Sequence, residues 1–78
     1  MKKTEEEFEY PQITPVEFEL MLEKYGMTKT RYSELRGKSR TWFYSLRNRR
    51  YLRVIDVEAF IEEVGLNAFK QLVREIKN

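Results

Sequence analysis

At 78 residues, 41% hydrophobic and 36% charged, the chain has the length of one small domain and the composition of a globular one. It has no run of about 18 apolar residues that could span a bilayer, and its opening, MKKTEEEFEY, lacks the apolar stretch of a secretory signal. There is no cysteine and no histidine, which removes disulfides, thiolate metal ligands and the side chains that most often carry proton transfer or hold zinc. The expectation is a cytoplasmic binding protein, not an enzyme, with no metal, no small-molecule cofactor and no membrane partner.

The net charge of +2 conceals an uneven distribution. Residues 1–28 carry three basic and seven acidic side chains, and residues 54–78 carry three basic and five acidic. Between them, residues 29–53 carry nine basic side chains and one acidic, Glu34. A positive centre between acidic flanks focuses the field and points to a polyanionic partner.

Residues 1–12 read as a flexible acidic arm: a charge run, then Pro11, with no helical apolar period. Phe8 and Tyr10 are the arm residues able to pack back on the domain, which spans residues 13–78. The first helix opens with Thr14 as N-cap, Pro15 at the first helical position and Glu17 completing a capping box. Phe18, Met21, Leu22 and Tyr25 then recur at helical spacing as a core stripe, and Gly26 ends the helix. Thr28 caps a second helix with Tyr32 and Leu35 inward, stopped by Gly37. Ser39 caps a third, Arg40 to about Arg49, with Phe43 and Leu46 inward and Trp42 at the margin. RRYLRVI is a connection, able to form a short strand, in which Leu52 and Val54 or Ile55 are expected to be buried. Asp56 is expected to cap a fourth helix through Val57, Phe60, Ile61 and Val64, ended by Gly65 with Leu66 as a latch. Asn67 is expected to cap a fifth, with Phe69, Leu72, Val73 and Ile76 as its stripe. The predicted fold is all-α, a compact bundle of about five short helices containing a helix-turn-helix.

Two chemistry-bearing readings fail on the residues. Gly37-Lys38-Ser39 matches the end of a phosphate-binding loop, but the glycine required five residues earlier is Tyr32, and the segment before it reads as helix. The carboxylates at Glu5, Glu6, Glu7 and Glu9, and at Glu62 and Glu63, are charge runs with no apolar pocket to separate their pKa values. The unit formed by the second and third helices is different. A tight turn, Arg36-Gly37-Lys38, joins a short helix to an amphipathic one, as a helix-turn-helix requires.

Residues 26–50, GMTKTRYSELRGKSRTWFYSLRNRR, resemble the helix-turn-helix of the lambda-repressor/Cro-like (XRE-like) family. That pattern reads Gly-apolar-Thr-Gln-x-x-apolar-Ala-x-x-apolar-Gly-apolar-Ser, followed by a recognition helix ending in Arg-Asn-Gly. Gly26, Met27 and Thr28 open it, with Lys29 in the Gln place, and Tyr32 and Ser33 hold the apolar and small positions. Gly37 and Ser39 hold the turn, Phe43 and Leu46 the buried recognition-helix positions, and Arg47-Asn48 the close. Arg49 stands where the family has Gly, and Arg36 and Lys38 stand where it has apolar side chains. Either the aliphatic stems of those two cover the core while their charges reach outward, or the turn is packed differently.

The resemblance implies a sequence-specific double-stranded DNA-binding protein, repressor-like in transcription regulation or from a phage or mobile element, with the third helix in the major groove. Arg40, Thr41, Tyr44 and Ser45 are the candidate base readers. Lys29 and Asn48 are the implied phosphate contacts, with Lys38, Ser39, Arg47, Arg49 and Arg50 as helpers. The C-terminal stripe closes the core or forms a homodimer seam; Phe69 and Leu72 are assigned to the core. The competing class is a protein–protein adaptor or antitoxin-like partner using the basic face. RNA binding ranks lower because no glycine-rich clamp or sheet platform is present. A further expectation is that the acidic arm covers the basic face.

Overall fold

Thr14 fixes the start of the first helix in the computed structural model, which describes residues 10–77. Its hydroxyl accepts from the Glu17 backbone N–H at 3.1 Å, and the Glu17 carboxylate accepts from the Thr14 N–H at 3.1 Å. That reciprocal box satisfies two of the amides a helix start leaves without partners. Helix α1, Pro15–Tyr25, ends at Gly26, whose φ of 94° is the left-handed conformation. The Gly26 and Met27 N–H groups turn back to the carbonyls of Glu23 and Leu22, and Met27 buries itself there as the hydrophobic latch. Helix α2, Lys29–Leu35, starts at once, its Arg31 N–H donating to the Thr28 hydroxyl. A 3-10 helix, Arg40–Asn48, follows the turn. Helices α3, Val54–Val64, and α4, Leu66–Lys77, complete the chain. The described residues form an all-α fold of five helices, with no strand among them.

One core unites these elements. Phe18, Met21 and Leu22 of α1 meet Tyr32, Phe43, Leu46, Val57, Phe60, Phe69 and Leu72, all buried. The Phe18 ring is its centre, edge-on to Tyr32 at 4.9 Å and to Phe60 at 5.4 Å, and stacked on Phe43 at 6.4 Å. The C-terminal stripe closes this core, with Phe69 and Leu72 buried and Val73 and Ile76 packed against its edge. At the far end of α4, the Lys77 ammonium donates to the Gln12 carbonyl at 2.7 Å and to Glu17 at 2.9 Å. That carboxylate has its pKa lowered by the Thr14 backbone hydrogen bond first and by Lys77 second.

Several local expectations need correction. Helix α3 starts at Val54 rather than after Asp56, so Asp56 is its third residue, fully buried, and accepts from the Arg53 N–H at 3.2 Å. Starting there turns Val54 and Ile55 outward, and both are about half exposed rather than buried. Helix α4 starts at Leu66 directly after Gly65, which leaves Asn67 inside the helix instead of at its cap. Tyr25 is largely exposed, touching the core only edge-on to Phe60 at 6.2 Å. Ile13, at the boundary of the expected arm, is fully buried, and its carbonyl accepts from the Leu52 N–H at 2.8 Å. That bond ties the connection to the N-terminal segment. Tyr10 does pack back, its hydroxyl donating to Glu58 at 3.1 Å. Residues 1–9, including Phe8 and most of the expected acidic arm, lie outside the described residues.

Candidate functional site

The turn between α2 and the 3-10 helix is built by Gly37 at φ 67°. The Gly37 N–H bonds the Glu34 carbonyl and the Lys38 N–H bonds the Ser33 carbonyl, each at 2.9 Å, which satisfies the carbonyls left open at the helix end. Lys38 follows as an exposed side chain. Arg36 does not reach outward. Its guanidinium is nine-tenths buried and hydrogen-bonded to Asp56, which is wholly buried on α3. It also lies over the Trp42 ring, 5.2 Å from the centroid. The Tyr32 hydroxyl donates to the Asp56 carbonyl at 2.6 Å. Burial pushes the Tyr32 phenol up to about 12, against an opposing pull from Arg36. Burial alone would lower the Arg36 pKa, but its hydrogen bonds to Tyr32 and Asp56 raise it. The polar position that departs from the family pattern is therefore a buried ionic brace between the turn and α3, and Arg36 is withdrawn from any role toward a ligand.

The third helix is 3-10, not α, over all nine residues. At three residues per turn and about 2 Å rise, side chains three apart eclipse. Phe43 and Leu46 form the inward column, both about 1% exposed. Thr41, Tyr44 and Arg47 form an outward column, with the Arg47 guanidinium 4.9 Å from the centre of the Tyr44 ring. Trp42, Ser45 and Asn48 form the third, and the Ser45 hydroxyl donates to the Trp42 carbonyl at 2.7 Å. The candidate readers therefore divide. Thr41 and Tyr44 stand together. Arg40 lies at the exposed outer end of the core column, and Ser45 is on another side with its hydroxyl bonded to its own backbone. Ser39 occupies the N-cap position with no capping bond. Its hydroxyl instead pairs with that of Thr41 at 3.2 Å.

The basic side chains also divide. The Arg47 guanidinium forks onto Glu19 of α1, with Nε and Nη2 donating at 2.7 and 3.1 Å. Lys29, at the start of α2, reaches the same carboxylate at 3.8 Å. The Arg47 hydrogen bond, the largest cause, holds the Glu19 pKa below the usual carboxylate value. Lys38, Arg40, Asn48, Arg49 and Arg50 are exposed. Among the described residues no carboxylate pairs with Lys38, Arg40 or Arg49, and Arg50 rests on the Tyr51 ring at 5.6 Å.

Comparison with known proteins finds no match among family models, curated proteins or solved structures. The functional reading rests on the side chains themselves. No group of three or more potential metal ligands occurs among the described residues, and no helix is long and apolar enough to cross a membrane. Sequence reasoning missed the ion pairs of Glu19 with Arg47 and of Asp56 with Arg36, because those partners are distant along the chain. Glu19 is 28 residues from Arg47, and Asp56 is 20 from Arg36.

Proposed function

We propose that the protein binds double-stranded DNA through α2 and the 3-10 helix, as a small repressor-like transcriptional regulator acting by binding alone. The observation that carries this reading is the outward column Thr41-Tyr44-Arg47, its last residue forked onto Glu19, on a helix whose inward column grips the core, set in a segment with nine basic side chains and one acidic. A helix anchored on one face and exposed on another is what entry into a major groove needs. Lys38, Arg40 and Arg49, with no carboxylate partner among the described residues, supply phosphate attraction or, for Arg40, a guanine contact. The family pattern over residues 26–50 supports the same reading. A pair of copies meeting through the outer face of α4 would bind two half-sites about 34 Å apart.

Selection of bound duplexes from a random DNA pool tests this. A recovered motif that Arg40→Ala or Tyr44→Ala blurs, while Lys38→Ala weakens all duplexes alike, is the expected result. No enrichment at low salt would turn the reading toward a protein-binding adaptor that uses the same basic face.

A further inference from the structure

Among the described surface acids, Glu19 stands apart because one carboxylate gathers two cations from two different elements. Lys29 is the first residue of α2 and Arg47 the last-but-one of the 3-10 helix. The fork from Arg47 uses both Glu19 oxygens, the geometry that guanidinium offers equally to a carboxylate or to two oxygens of a phosphate. The Tyr44 ring lies against the guanidinium, 4.9 Å from it. Both cations stay about half exposed, at 42% for Lys29 and 49% for Arg47, so a ligand can approach them from solvent. Arg47 belongs to the outward column of the 3-10 helix, and the cations with no carboxylate partner lie elsewhere on the segment.

We propose that Lys29 and Arg47 form a single anion site for one backbone phosphate, and that the Glu19 carboxylate fills this site in the free protein. The site is a property of three side chains; that its phosphate belongs to DNA rests on the function proposed above. A phosphodiester displaces Glu19 and takes over the fork, with Lys29 as the second cation. The displaced carboxylate then faces the DNA backbone and opposes it. Glu19 thereby sets the level and the salt sensitivity of binding.

Glu19→Gln, backed by Glu19→Ser, tests this, with both variants checked for wild-type circular dichroism and Glu23→Gln on the next turn as a control for net charge. Affinity for a random-sequence duplex is measured across salt concentrations. Inorganic phosphate is titrated separately while following the Arg47 Nε–H resonance. The expected result is duplex binding about fivefold tighter in both Glu19 variants, with a salt slope steeper by about one, and phosphate shifting Arg47 at lower concentration than in the wild type. Equal gains from Glu23→Gln, or unchanged or weaker duplex binding in the Glu19 variants, overturn the site while leaving DNA binding intact. If neither wild type nor variant binds duplex but phosphate still shifts Arg47 more readily without Glu19, the anion site stands and the DNA reading falls. No response to duplex or phosphate overturns both.

Discussion

Replacing Arg36 with Met removes the cationic half of the buried brace while keeping a long apolar stem. Asp56 is wholly buried, so its carboxylate cannot recover solvation. It keeps the Arg53 N–H at 3.2 Å and the Arg53 guanidinium at 3.7 Å, the latter on a side chain more than half exposed and therefore weakly coupled. Breaking a buried pair from one side costs about 3–5 kcal/mol. The retained Arg53 contacts place Arg36→Met near the lower end, about 3 kcal/mol. The lost Arg36–Trp42 contact adds about 0.5–1 kcal/mol, partly replaced by the Met sulfur. For a domain this small, 3 kcal/mol corresponds to a fall in Tm of about 15–20 °C. Removing both charges, in Arg36→Met with Asp56→Leu, takes away the stranded carboxylate and should restore part of that loss, leaving mainly the missing N-terminal acceptor of α3. Urea and thermal melts of the two single variants and the double form the cycle. A loss below about 1 kcal/mol for Arg36→Met, or a double variant as unstable as the sum of the singles, would refute the brace.

Two further outcomes follow from buried or paired groups. Ser33 is 1% exposed and its hydroxyl has no hydrogen-bond partner among the described residues, so Ser33→Ala should raise stability by about 1 kcal/mol; a lower Tm would count against this. Glu17 and Glu19 both have folded pKa values below their ordinary 4.5. Their contribution is therefore complete above pH 4.5 and is lost as the pH falls through the folded values. Tm should drop as the pH falls below 4.5, and less steeply in Glu17→Gln; a flat acid limb would contradict the assignment.

What could be read from the chain and what could not follows the range of the interactions. The Thr14–Glu17 box, Gly26 and Thr28 are settled within four residues, and each lies where the local pattern puts it. Phe43, Leu46, Phe69 and Leu72 were legible because burial at helical spacing needs no knowledge of the partner. Asp56 misled because an aspartate before an apolar run has the signature of an N-cap. Its side chain is drawn inward by Arg36, 20 residues away, and the helix begins two residues earlier. Ile13 had a local signal: it precedes the capping Thr14 with Phe18 at the fourth helical position, the pattern of a hydrophobic staple, and both belong to the core. The 3-10 winding of residues 40–48 had none, since Phe43 and Leu46, three apart, suit either winding. It matters for the site, because it moves Arg40 and Ser45 off the column that carries Thr41 and Tyr44.

The bond from the Lys77 ammonium to the Gln12 carbonyl brings the two ends of the folded region to one edge. In a chain trimmed to residues 12–77, anything fused to either end would leave from the same place, so partner domains at both would crowd one another. The same closeness makes the chain a candidate for circular permutation. A short Gly/Ser linker joining Lys77 to Gln12 would cross a small gap. New termini opened at Gly37 would then separate α2 from the 3-10 helix without breaking either, testing whether their continuity along the chain, rather than their packing, is what holds the pair in register.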